Sequence, residues 1–154
     1  SLIVRRLWQP ISAKELKRKP SHFRMVSVDA LLQAKDAALA QNKVFVVRLT
    51  AEWCKPCRRL APYYKSWIAK MDDRVVSLDI NIDESLDVYS FFKRKRIVRG
   101  IPAILAWIPD REESEATYWP SDSVCSGALS EVELMLERLR WAVVRREEET
   151  MEEV

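Results

Sequence analysis

The chain has 154 residues, of which 48% are hydrophobic and 32% are charged, and this composition is typical of one globular domain. Its net charge of +3 is too small to indicate nucleic-acid binding, and no apolar run approaches the roughly 20 residues that a membrane-spanning helix needs. Three cysteines are too few for the disulfide framework of a small secreted protein. We therefore expect an intracellular, reducing compartment and no membrane span.

The two ends of the chain carry opposite charges. Residues 1–28 contain seven basic side chains and one acidic one, whereas the last ten residues contain two basic and five acidic ones. We interpret 1–21 as a basic N-terminal extension, 22–146 as the folded domain and 147–154 as an acidic tail. Both ends are predicted to be solvated or docking arms. The basic, acid-poor composition of the extension favours the mitochondrial matrix over the cytoplasm.

Apolar periodicity predicts strands and helices that alternate along the domain. Strands are expected at 23–28, 44–49, 75–80 and 103–108. Helices are expected at 30–41 after Asp29 as the N-cap, at 54–71, at 86–93, and after the capping box Ser130-Glu131-Val132-Glu133. The last helix is predicted to bury Val132, Leu134, Leu136, Leu139 and Val143. Strands separated by helices indicate an α/β fold with helices on both faces of the sheet.

The sequence Cys54-Lys55-Pro56-Cys57 lies between a predicted buried strand and a predicted helix. A thiolate attacks disulfides, and a helix N-terminus lowers the pKa of a thiol, so Cys54 is the predicted nucleophile. Cys57, one turn later, is predicted to resolve the mixed disulfide, which makes the two a redox disulfide pair. Lys55 adds positive charge, Pro56 suits the first turn of a helix, and Trp53 offers the substrate a flat apolar contact.

Two other uses of the cysteines are open at this point. A four-ligand zinc site would have to recruit Cys125 and the single histidine, His22. An iron–sulfur cluster could also bridge two chains through Cys54 and Cys57. The preferred expectation is that the protein needs no cofactor.

Four segments together resemble the thioredoxin family between residues 23 and about 145. They are Ala51-Glu52-Trp53-Cys54-Lys55-Pro56-Cys57, Asn81-Ile82-Asp83, Arg99-Gly100-Ile101-Pro102 and Gly127-Ala128-Leu129-Ser130. The resemblance implies a thioredoxin fold, with a central mixed sheet of about five strands flanked by helices. It also implies that Pro102 is a cis-proline facing the dithiol, and that the Ile101 backbone pairs with the substrate. Trp53, Lys55, Pro56, Ile101, Pro102 and Gly127 are then the expected substrate-binding residues.

The sequence departs from the family at a buried charged position. Thioredoxins usually have an aspartate six residues before the first cysteine of the motif, where it accepts a proton from the second thiol. This chain has Arg48 there, and arginine offers only hydrogen-bond donors. Asp79 stands where the family commonly has a lysine, so we expect a charge-reversed structural ion pair between Arg48 and Asp79. Asp79 is also a candidate catalytic base for the proton of Cys57.

The family resemblance predicts an enzyme that reduces protein disulfides and is recharged by a disulfide reductase. The alternative is a non-catalytic interaction module, a chaperone or a subunit of a larger assembly. The basic extension, or an enlarged hairpin at 108–120, would then dock that assembly. Cys125 is expected to be either a buried spectator thiol or a third redox site.

Overall fold

In a computed structural model, residues 26–109 and 118–153 are described. The predicted extension 1–21, His22 and the centre of the predicted hairpin lie outside the described residues. The helices are α1 (Val28–Ala40), α2 (Lys55–Met71), α3 (Leu86–Arg94) and α4 (Leu129–Glu152), and a 3₁₀ turn covers Asp72–Arg74. The strands are β1 (Val44–Thr50), β2 (Val75–Asn81), β3 (Ala103–Trp107) and β4 (Asp122–Val124).

The described strands form one mixed sheet in the order β2-β1-β3-β4. β1 and β2 are parallel, and their register places Arg48 opposite Asp79. β3 is antiparallel to both β1 and β4. The mixed sheet is confirmed, but the described residues contain four strands instead of about five.

The predicted strand at 23–28 is wrong at its C-terminal end, because Val28 begins α1. The Ser27 side chain accepts a hydrogen bond from the Ala30 backbone N–H at 3.1 Å and caps the helix. Asp29, the predicted cap, therefore lies inside the first turn. Residues 23–25 lie outside the described part of the chain.

Two apolar clusters cover the two faces of the sheet. Alternate residues of β1 point to opposite faces, as the period of a strand requires. Phe45, Val47 and Leu49 pack in the cluster that contains Leu31 of α1 and Phe92 of α3. Val44 and Val46 pack with Tyr64 and Trp67 of α2, and with Met135, Leu136 and Leu139 of α4. The expectation of helices on both faces is confirmed.

α4 differs from its prediction at both ends. Its N-cap is Ala128, so the predicted capping box is wrong and Ser130 lies within the helix. Leu134 is exposed and Met135 is buried in its place, because residues 132, 135, 136, 139 and 143 share the face that packs on the sheet. The helix continues across the predicted boundary at 146, and residues 147–152 are helical. Among the described helices, none is both long and apolar enough to cross a membrane.

Candidate active site

The two cysteines of the motif lie where β1 gives way to α2. Cys54 is the N-cap of α2, and its Sγ accepts a hydrogen bond from the Cys57 backbone N–H at 3.3 Å. The side chains form a disulfide, with their Cα atoms 5.2 Å apart. The N-terminus of a helix presents unpaired N–H groups and a positive dipole end, which favour negative charge on a sulfur placed there.

Both cysteines are buried in the disulfide form, with Cys54 5% and Cys57 2% exposed. Cys54 retains slightly more contact with solvent, as expected for the attacking residue of the pair. Lys55 beside it is exposed, and Pro56 occupies the first turn of α2. The disulfide thus lies just below the surface and is bordered by residues of its own helix.

Trp53 is exposed next to the disulfide and is held in place by a hydrogen bond. Its Nε1 donates to Asp83 Oδ2 at 2.8 Å. The Asp83 backbone N–H in turn donates to Asn81 Oδ1 at 2.9 Å, which fixes the loop after β2. Sequence analysis assigned no role to Asp83, although the segment 81–83 was among those that resemble the family.

Gly127 and Pro102 lie close to the dithiol helix. A Cβ added to Gly127 would lie 2.7 Å from Pro56 Cβ and 3.9 Å from Pro102 Cδ, so the space admits only glycine without a shift. The Ile101–Pro102 peptide bond is cis. The structure thus brings Pro56, Pro102 and Gly127 together at the first turn of α2, which begins after Cys54, and we call the region that these three residues border the groove.

Cys125 lies at the edge of the same region. Its thiol donates a hydrogen bond to the Gly100 carbonyl at 3.2 Å. The side chain is exposed, so the expectation of a buried spectator thiol is wrong. The physical reason is that β4 ends at Val124, which places Cys125 beyond the last strand residue.

Arg48 and Asp79 form the expected ion pair. Arg48 Nε donates to Asp79 Oδ1 at 3.1 Å, and Nη2 donates to Oδ2 at 2.7 Å. Arg48 is 5% exposed, whereas the Asp79 side chain is 33% exposed. Within the described residues, neither side chain is hydrogen-bonded to a cysteine sulfur. Both Asp79 oxygens thus accept from Arg48 while Cys54 and Cys57 are joined as a disulfide.

Tyr64 of α2 completes this buried polar group. The Arg48 guanidinium carbon lies 5.1 Å from the centre of its ring. The Tyr64 hydroxyl and Arg48 Nη1 are both buried and have no hydrogen-bond partner among the described residues. Burial, and then the charge of Asp79, raise the pKa of Tyr64 far above its ordinary value, against the opposing effect of Arg48. Sequence analysis missed Tyr64, although its position seven residues after Cys57 indicates the same helix face.

No three or more His, Cys, Asp or Glu residues in the described part of the chain are grouped so that they could hold a metal ion. Cys125 is engaged at Gly100, while His22 lies outside the described residues. The zinc site and the iron–sulfur cluster therefore stay predictions.

Sequence comparison relates the chain to known redox proteins. A family model described as Thioredoxin matches residues 14–118. Protein disulfide-isomerase 2-3 of Arabidopsis thaliana is 31% identical over 99 residues, 64% of this chain and 21% of that protein. Thioredoxin of Callithrix jacchus is 39% identical over 64 residues, 42% of this chain and 58% of that protein. The matches thus span between 21% and 58% of these relatives' own lengths.

Solved structures of thioredoxins share the fold. The thioredoxin of Fasciola hepatica superposes with a TM-score of 0.57 at 16% identity, covering 75% of this chain and 98% of that one. The thioredoxin of Trichomonas vaginalis gives a TM-score of 0.57 at 22% identity, covering 75% and 93%. The fold, the family match and the disulfide-bonded cysteines all indicate the same family. The chain belongs to the thioredoxin family, and Cys54 and Cys57 form its CxxC cysteine pair.

Proposed function

We propose that the protein reduces disulfide bonds of other proteins, with Cys54 as the nucleophile and Cys57 as the resolving thiol. The observation that carries this proposal is the position of Cys54 at the N-cap of α2, bonded to Cys57 and bordered by Pro56, Pro102 and Gly127. A reactive thiolate at a helix N-terminus, next to a groove that accepts an extended polypeptide, is suited to attack a protein disulfide.

The reaction proceeds in two exchanges. The Cys54 thiolate attacks one sulfur of the substrate disulfide; the substrate S–S bond breaks, and its other sulfur leaves as a thiolate. Cys57 then loses its proton and attacks Cys54 Sγ, which forms the Cys54–Cys57 disulfide and releases the second substrate sulfur. The substrate has gained two electrons and, after protonation, two protons. The Cys54–Cys57 disulfide is the state in which this proposed cycle would leave the protein.

Substrate binding is assigned to the residues around the groove. Trp53, held by Asp83, offers an exposed ring beside the sulfurs, and Lys55 and Pro56 border them on α2. The Ile101 backbone, next to Pro102, is proposed to pair with the substrate backbone. Gly127 is proposed to leave the groove open, because a side chain there would contact Pro56.

A disulfide reductase is proposed as the electron donor. It would return two electrons and two protons to the Cys54–Cys57 disulfide and so reset the cycle. Because such exchange needs a reducing environment, we place the activity inside the cell. The basic composition of residues 1–28 supports the mitochondrial matrix over the cytoplasm.

A non-catalytic role as an interaction module, chaperone or assembly subunit is the second candidate. The observation that favours it is the pairing of Arg48 with both Asp79 oxygens, which engages the carboxylate considered above as the candidate base for Cys57. Without a proton acceptor, resolution by Cys57 would be slow. A module of this kind would bind partner proteins at the groove without reducing their disulfides.

One experiment separates the two candidates. The full chain, kept reduced by dithiothreitol, is given a peptide disulfide, and the appearance of free peptide thiols is followed. The proposal expects turnover in the natural chain and in Cys125→Ser, and none in Cys54→Ser. In Cys57→Ser that has been reduced and then freed of dithiothreitol, mass spectrometry should find the peptide trapped on Cys54. Equal background rates in the natural chain and in Cys54→Ser would contradict the proposed enzyme and favour the interaction module.

A further inference from the structure

Five basic side chains lie between the last turn of α3 and the loop that contains Pro102. They form what we call the basic patch, which consists of Lys93, Arg94, Lys95, Arg96 and Arg99. All five are exposed. The ion pairs found within residues 26–109 and 118–153 involve none of them. Seven consecutive residues thus present five positive charges that no described carboxylate neutralises.

The basic patch is held in a defined conformation. Lys93 Nζ lies 5.1 Å from the centre of the Tyr89 ring, and Lys95 Nζ lies 5.0 Å from that of Tyr118. Arg96 has φ 59°, in the left-handed region that non-glycine residues seldom adopt. Its backbone N–H donates to the Lys93 carbonyl at 3.0 Å, which closes the turn. Arg96 thus carries its charge at a strained backbone position that glycine would fit better. Strained residues of this kind are often found at functional sites.

The basic patch lies close to Pro102 along the chain. Arg99 is three residues before Pro102, so their Cα atoms are at most about 11 Å apart. Lys95 is seven residues before Pro102, which limits its distance to about 25 Å. A side chain at Gly127 would contact both Pro102 and Pro56, so Pro102 lies at the groove. A polypeptide lying in the groove would therefore reach the basic patch within about seven extended residues.

We infer that the basic patch binds an acidic segment of the substrate polypeptide, close in sequence to the disulfide that Cys54 attacks. This inference rests on the proposed function and adds a substrate class, disulfide-containing proteins with clustered Asp and Glu. Several like charges in one place raise the association rate of an oppositely charged partner.

A nucleic acid is the less fitting occupant, although it is also acidic. Binding of single strands relies on aromatic faces on which bases stack. The rings at the basic patch are already in contact: Phe91 packs edge-on against Tyr118 with their centroids 5.3 Å apart, and Lys95 covers Tyr118. Charge without free ring faces suits a carboxylate-rich peptide.

Direct binding is tested first, with a fluorescent peptide that contains four Glu and no Cys. Its anisotropy is compared with that of the same peptide with Gln in place of Glu, on the natural full-length chain. The inference expects the Glu peptide to bind more tightly by about 3- to 10-fold at low salt, with the difference lost near 1 M salt. Because this measurement involves no thiol chemistry, it stands whether or not the protein is a reductase.

The kinetic test uses two peptide disulfides, one flanked by Glu and one by Gln. Arg94→Gln combined with Arg96→Asn removes two charges, and asparagine tolerates the left-handed backbone at 96. This variant should lose most of the preference in kcat/KM for the Glu-flanked substrate. Lys65→Gln combined with Lys70→Gln removes the same charge from exposed positions on α2, and it should keep that preference.

Several results would overturn the inference. These are equal binding of the two peptides, equal loss of preference in both double variants, or tighter binding of an oligonucleotide than of the Glu peptide. Neutralising the chain's own acids with Glu112→Gln, Glu113→Gln and Glu115→Gln must also leave peptide binding unchanged. Tighter binding of the Glu peptide by this triple variant would show that these acids already occupy the basic patch. Failure to reduce either disulfide contradicts the proposed function instead, and the anisotropy measurement then decides the inference alone.

Discussion

A buried guanidinium must find acceptors for its N–H groups, because leaving them unpaired in the interior costs free energy. Arg48 meets this need in part, because Nε and Nη2 donate to the two carboxylate oxygens of Asp79 and the guanidinium lies over the Tyr64 ring, while Nη1 has no hydrogen-bond partner among the described residues. The two partners differ in exposure, since Asp79 is one-third exposed and Arg48 is almost fully buried. The pair is therefore asymmetric: Asp79 can turn to water if it loses its partner, whereas Arg48 cannot.

This asymmetry predicts unequal effects of removing the two partners. Asp79→Ala should destabilise the fold by about 2–4 kcal/mol, somewhat less than a fully buried pair because Asp79 is partly solvated. Arg48→Met should cost less than about 1 kcal/mol, since it fills a similar volume without burying a charge. Exchange of the two residues, with Arg48→Asp and Asp79→Lys, should recover much of the loss. Urea unfolding of all three variants checks these values, and equal losses in the two single variants would contradict them.

The Tyr64 hydroxyl predicts a pH-dependent stability. Tyrosine in the unfolded chain ionises near pH 10, while the raised pKa keeps Tyr64 neutral in the folded protein. Above pH 10 the unfolded state therefore holds fewer protons, and stability falls by up to about 1.4 kcal/mol per pH unit. Below pH 10 this contribution to stability is fully present.

Tyr64→Phe removes the ionisable group and keeps the ring. At pH 8 we expect this variant to match or exceed the natural protein by up to about 1 kcal/mol, since the lost hydroxyl has no partner among the described residues. Between pH 10 and 11.5 its free energy of unfolding should not show the part of the decline that ionisation of Tyr64 causes. Urea unfolding across this range measures the difference, and parallel profiles for the two proteins would show that Tyr64 ionises equally in both states.

At the scale of elements, the first helix tests the role of a single cap. Ser27→Ala removes the hydrogen bond to the Ala30 N–H and should cost about 1 kcal/mol, as N-cap serines do. Asp29→Ala is the matched control, because this residue only interacts with the helix dipole and should cost a few tenths of a kcal/mol. Thermal or urea unfolding compares them. A larger loss at Asp29 would mean that the helix begins where the sequence predicted.

The elements also show which parts of the molecule were predictable. β1 and α2 were found because residues 44–47 are three valines and a phenylalanine, which favour a strand, and because the dithiol motif marks a helix start. The Arg48–Asp79 contact was predicted from the resemblance to the thioredoxin family, and side-chain alternation on neighbouring strands permits it. The bond from Trp53 to Asp83 and the exposure of Cys125 were not predicted, because both depend on how distant loops pack. The start of α4 was predicted wrongly, because the capping-box sequence begins at Ser130, two residues after the observed N-cap Ala128.

Different parts of the longest helix, α4, contribute unequally to the stability of the molecule. α4 has 24 residues, and its last buried side chain is Val143. Beyond it, Arg146 Nη1 donates to the Pro109 carbonyl at 2.9 Å, and Glu147 pairs with Arg74 at 3.1 Å. Residues 148–152 contribute helix but no buried side chain.

Truncation should reveal this division. A chain that ends at Glu147 should unfold within about 0.5 kcal/mol of the full chain, because it retains every buried residue of α4. A chain that ends at Ala142 loses Val143 and the Arg146 bond, and should be destabilised by about 2–3 kcal/mol. Urea unfolding of the two truncated chains provides the comparison. A large loss in the longer one would contradict the division.

The contact between Gly127 and Pro56 joins segments about 70 residues apart in the sequence, so it is among the last to become available during synthesis. A nascent chain that has emerged as far as α2 already carries both thiols of the dithiol. It lacks the segment that completes the groove until residue 127 has left the ribosome. The protein thus acquires its two motif cysteines early and the segment that we propose to border the bound substrate late.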